Sequence, residues 1–76
     1  MRELVEVLAK ALVDQPQAVE VRQIVGDKSV ILELRVAPED MGKVIGKQGR
    51  IAKAIRTVVK AAAIRAGKRA VVEIIQ

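Results

Sequence analysis

Cysteine, histidine and all three aromatic residues are absent from this 76-residue chain, and no other feature narrows its possible folds as much. A domain of this size buries only about 60% of the surface that its unfolded form exposes. Small domains commonly make up the shortfall with disulfides or zinc. Neither staple can form here, so the core must be aliphatic, or be completed by self-association. Hydrophobic residues, at 51%, are plentiful enough for that. There is room for one domain only, spanning residues 1–76.

The same absences exclude classes of chemistry. Ser29 and Thr57 are the only side-chain hydroxyls, and without His or Cys neither a Ser/His/Asp nor a Cys/His nucleophilic site can be assembled. Glu39 and Asp40 are adjacent carboxylates, but they read as helix-start residues rather than an acid/base pair or a metal site. No enzyme activity, metal or cofactor is expected. Modules that bind single strands by stacking bases on aromatic rings, such as RRM, OB-fold and cold-shock domains, are excluded as well. No uncharged run exceeds five residues, far below the ~20 apolar residues of a membrane span. Met1-Arg2-Glu3-Leu4 does not begin a signal peptide. The expectation is a cytoplasmic protein without membrane contact.

Charge is divided along the chain. The formal net charge of +5 conceals −3 over residues 1–40 and +8 over residues 41–76, where Glu73 is the only acid. Such a one-sided excess attracts polyanions, with nucleic acid the first candidate.

Leu4, Val5, Leu8 and Leu12 recur at helical spacing, and Pro16 ends that helix. Residues 18–25 read as a strand, although the step from Val21 to Ile24 shifts parity and suggests a bulge. Gly26-Asp27-Lys28 is a turn, and Val30, Leu32, Leu34 and Val36 alternate as a half-buried strand. Pro38, Glu39 and Asp40 suit a helix N-terminus, giving a short helix to about Val44. After Gly46-Lys47-Gln48-Gly49 comes a longer helix with an apolar stripe of Ile51, Ile55, Val58, Val59 and Ala62. Gly67 is its natural C-terminal cap. Residues 70–75 form a last, β-rich strand. Three strands and three helices in α-β-β-α-α-β order predict an α+β fold, a three-stranded sheet covered on one face by helices.

The segment from Val44 to Arg50 carries the functional signal. Two glycines three apart let the chain bend sharply and let another backbone approach without meeting a Cβ. The helix that follows offers unpartnered N–H groups and the positive end of its dipole, an anion site reinforced by Lys47 and Arg50. On a helical wheel with Ile51 at zero, Arg50, Lys53, Arg56, Thr57 and Lys60 fall between about 140° and 260°, opposite the apolar stripe.

Ile45-Gly46-Lys47-Gln48-Gly49 resembles the signature of the KH domain, whose glycine loop clamps the backbone of about four nucleotides. The element order is similar to that of type II KH domains. The run from Val36 to Arg50 resembles the small bacterial single-domain KH proteins of the KhpA type. The resemblance implies that Gly46, Lys47, Gln48 and Gly49 contact RNA backbone, with Arg50 and Lys53 adding charge, and that Val44, Ile45 and Ile51 line a groove for bases. Those aliphatics also suit a core. Many KH domains have a large aliphatic residue where this chain has Ala52, which implies a shallower groove. The resemblance further implies an RNA chaperone or post-transcriptional regulator, linked to cell-shape and cell-wall control, acting as a homodimer or with a second KH-containing protein. An alternative from another class is a ribosome-associated or protein-interaction subunit that uses the basic helix.

A contact surface for such pairing is legible on the long helix. Its apolar arc covers about 200°, where a sheet-facing helix needs only ~100°. Ala54, Val58 and Ala61 form the surplus flank, and Ile64 stands alone on the polar face. Either the first helix covers that flank or another chain does.

Overall fold

A computed structural model describes residues 1–75, the side chains of Lys47 and Gln48 apart. Helix α1 (Arg2–Leu12) leads through a 3-10 turn (Pro16–Ala18) to strands β1 (Glu20–Val25) and β2 (Ser29–Arg35), helix α2 (Pro38–Arg65) and strand β3 (Arg69–Ile75). The α+β class and element order are those expected, with two local differences. α1 ends at Leu12, with Val13 already extended, so Pro16 lies beyond the helix rather than ending it; Pro16–Ala18 close a 3-10 turn, and β1 begins at Glu20 rather than at residue 18. The two helices expected around the glycines form a single run, and its break is concentrated at Gly49, where φ is +68°. A left-handed residue cannot continue a regular right-handed helix, so the chain is redirected there.

The strand order is β1-β2-β3, with β1 antiparallel and β3 parallel to the central β2. A parallel partner requires a crossover connection, and α2 supplies it. Val30, Leu32 and Leu34 face the helices and are buried, and their neighbours Ala70, Val72 and Ile74 share that face. The parity shift in β1 is not a bulge, because its register against β2 is unbroken from Glu20 to Val25. Gln23 occupies a helix-facing position for a specific reason. Its Oε1 accepts the Arg2 N–H at 3.0 Å, satisfying an orphan donor in the first turn of α1. Ile24 thereby turns to the open face, in register with Ile31 and Val71.

The core is wholly aliphatic. Val5 and Ala9 of α1 meet Leu32 and Leu34 of the sheet and Val44, Ala52, Ile55 and Val59 of α2. The stripe on α1 is therefore rotated from the expected one. Small Ala9 lies inside while Leu12 is exposed at the end of the helix. On α2, burial follows Ala52, Ile55, Val59 and Ala63, which are spaced three, four and four apart and make one helical face. Gly67 closes the helix as expected. Its φ of +70° lets Lys68 N–H reach Ala63 O at 2.9 Å and Gly67 N–H reach Ile64 O at 3.1 Å, a Schellman pattern.

One buried polar side chain fixes where α2 begins. Asp40 is 1% exposed. Its carboxylate accepts the backbone N–H groups of Asp14 at 3.1 Å and Gln15 at 3.0 Å. Around it, Lys43 Nζ pairs with Asp14 at 3.0 Å and Gln15 Nε2 donates to Glu39 at 2.6 Å. The segment after α1 and the first turn of α2 are thus joined by one anionic hub. Hydrogen bonds to a charged acceptor contribute about 1.5–3 kcal/mol each, and deleting the acceptor strands both donors. Both bonds are only part-buried, which lowers that sum, so Asp40→Ala should reduce unfolding free energy by about 2–4 kcal/mol in urea titrations, with Asp40→Asn falling in between.

Candidate nucleic-acid interface

The site is built on α2. Pro38 opens the helix at its first turn, and the Asp40 hub holds that turn against the segment after α1. Val44 is wholly buried beneath the glycine segment, whereas its neighbour Ile45 is 48% exposed. One step along a helix rotates a side chain by about 100°, so adjacent aliphatics here serve opposite purposes. Val44, expected along a groove, anchors the turn from below instead. Ile51 is half-buried and packs on the core, and Ala52 is buried. Ile45 is the most open of the expected groove aliphatics.

The two glycines differ in what they do. Gly49 carries the positive φ, so the backbone itself demands glycine. Gly46 has no such φ, and a Cβ built there would meet nothing within 4 Å. The fold leaves open space at Gly46 and gives no steric reason for its side chain to be missing. Gly42, one turn earlier, is equally open. Sequence reasoning does not single out Gly42, because it lies outside the four-residue signature.

Arg50 and Lys53 are exposed and line a shallow depression with Ala54, Thr57 and Val58. Among the described residues, neither takes part in an ion pair. Other members of the expected basic face are partly engaged. Arg56 Nε donates to the Val72 carbonyl at 3.4 Å, tying α2 to β3, and Thr57 Oγ1 donates back to Lys53 O at 2.9 Å. From Met41 to Arg65, α2 contains no carboxylate. The expected phosphate contacts of Lys47 and Gln48 fall on side chains outside the described residues.

Along the expected contact flank, Ala54 and Ala61 are exposed and Val58 is 40% exposed. The first helix does not cover them. Ile64 is 68% exposed, near the end of α2.

A glycine turn inside a basic helix, laid on a three-stranded mixed sheet, defines the KH class of domain. The chain belongs to the family described as KhpA/KhpB, KH domain, whose model matches residues 2–74. It is similar to curated proteins named RNA-binding protein KhpA. The one from Clostridium perfringens is 71% identical over 99% of this chain and 100% of that protein. The one from Aquifex aeolicus is 51% identical over 100% and 96%, and the one from Chlamydia pneumoniae is 42% identical over 100% and 97%. No solved structure matches the chain.

The contrast between the glycines is measurable in folding alone. Gly49→Ala should lose about 1–2 kcal/mol of stability, since an L-residue is forced into the left-handed region. Gly46→Ala should hold stability or raise it by up to about 1 kcal/mol through better helix propensity. Paired urea titrations of the two variants give both numbers.

Proposed function

We propose that this protein is a non-catalytic KH module that binds single-stranded RNA by its backbone at Gly46, Lys47, Gln48 and Gly49. Arg50 and Lys53 supply charge beside the turn, and Ile45 and Ile51 supply apolar contact for bases. Val44 contributes by support from beneath. The observation that carries this reading is the open space at Gly46, a glycine that the fold does not need but that a close-approaching phosphate chain does. The exposed cations beside it, and relatives named as RNA-binding proteins, support the same conclusion. Backbone contacts position a strand without reading its sequence. Such binding suits a broad-specificity RNA chaperone or post-transcriptional regulator working in the cytoplasm.

Lys47→Asp with Gln48→Asp should leave circular dichroism unchanged and abolish binding to short single-stranded RNA. For the wild-type chain, three to five neutralised phosphates at about −0.7 each predict a log K against log salt slope of about −2 to −3.5. A flat salt response, or wild-type affinity in the folded double variant, would favour the basic helix as a protein- or ribosome-binding surface.

Self-association is a second reading, and the exposure of Val58 between Ala54 and Ala61 favours it. Small residues on either side would let another helix approach closely, from a second copy or from another KH protein, with Ile64 at the margin. Because Val58 lies outside the core, Val58→Asp should stay folded. Sedimentation should then show a wild-type dimer turning into a folded monomer, whereas a wild-type chain that is monomeric at high concentration would remove the homodimer.

A further inference from the structure

The far end of α2 carries a second basic groove. Lys60, Lys68 and Arg69 line it, with Ile64 and Val71 contributing apolar surface. Among the described large hydrophobics none is more exposed than Ile64, and Val71 is also open to solvent. None of the three cations joins an ion pair among the described residues. Two of them are held in place by backbone hydrogen bonds. Lys68 N–H bonds to Ala63 O at 2.9 Å, and Arg69 N–H bonds to Lys28 O at 2.9 Å. The second of these bonds brings the Lys28 backbone alongside Arg69. Cations beside exposed aliphatic side chains are what a single strand needs from a protein without aromatic rings: charge for phosphate and apolar surface for a base.

We infer that this groove is a second RNA subsite, which takes the same strand as it leaves the glycine turn. Continuity along α2 favours RNA over an acidic protein. Lys53, beside the turn, and Lys60, at the groove, are seven residues apart and so lie on one face of the helix, with no carboxylate between them. From Gly49 to Ile64 the helix rises about 22 Å, which a stacked strand with about 3.4 Å per phosphate spans in six or seven nucleotides. Together with the four nucleotides clamped at a KH glycine loop, the footprint is about ten.

The second subsite presupposes RNA at the glycine turn, and oligonucleotide length separates the two claims. Oligouridylates of about five and about twelve nucleotides are titrated against the wild-type chain and Lys68→Gln with Arg69→Gln. The shorter RNA should bind both proteins within a factor of about two. With the longer RNA the variant's log K against log salt slope should be shallower by about 1.4, two phosphates at about 0.7 each. The wild-type advantage for that RNA should therefore shrink about sevenfold between 50 and 200 mM salt. Failure of the wild-type chain to bind even the shorter RNA would overturn the reading of the glycine turn, and the second subsite with it. Binding of the shorter RNA with no gain from length, or with an equal salt slope in the variant, would overturn the second subsite alone. An acidic peptide that binds the wild-type chain and not the variant, while the longer RNA binds both alike, would assign the groove to a protein partner and overturn it too.

Discussion

The parallel pairing of β2 with β3 imposes the geometry on which the rest depends. Two parallel neighbours cannot be joined by a tight turn, so the chain between them must cross back over the sheet. In this protein that crossover is α2, and the excess positive charge of the chain is carried on it or just beyond it, the residues before it being net negative. Ala52, Ile55, Val59 and Ala63 hold the crossover down on the sheet. The same helical periodicity that buries them turns Arg50, Lys53 and Lys60 to solvent. The basic surface is thus a consequence of how the sheet is connected.

Within this crossover the demands of folding and of access fall on different glycines. The chain is redirected at Gly49, whose left-handed backbone is a conformational requirement. Gly46 leaves a gap at the surface that no neighbour fills. Below them, Val44 is locked into the core, and a short way upstream Asp40 ties the start of α2 to the segment following α1. The turn is therefore held from beneath and from its N-terminal side, while the space at Gly46 stays open. Preorganisation of this kind limits the ordering cost of binding a flexible strand. It also places an exposed apolar flank, Ala54 and Val58, directly beside Arg50 and Lys53. Anything docking on that flank would share an edge with the proposed RNA site.

Features that depend on neighbours in sequence are legible in the sequence. Alternation in β2, the glycine signature, the cap at Gly67 and the charge division are of this kind, and local sterics or periodicity read them directly. Positions whose roles depend on partners far along the chain are not. Gln23 reads as a parity error because its acceptor role is defined by Arg2, on another element. Asp40 reads as an ordinary helix-start acid because nothing local reveals that Asp14 and Gln15 bring their N–H groups to it. Val58 reads as part of the apolar stripe and equally of its surplus flank, because a helical wheel cannot say how far the neighbouring layer extends.

The sequence by itself determined the class of fold and the chemistry of the surface. An aliphatic core was unavoidable without cysteine, histidine or aromatic residues, and the glycine and lysine spacing singled out the turn proposed here to bind RNA. Tertiary structure alone decided which faces are open. It buried Val44 and exposed Ile45, it left Val58 uncovered, and it brought Lys68 and Arg69 to a groove with Lys60 and Ile64. The reason is physical. Periodicity fixes which residues share a face, but burial is set by the packing of one element on another, and that depends on contacts between residues distant in the chain.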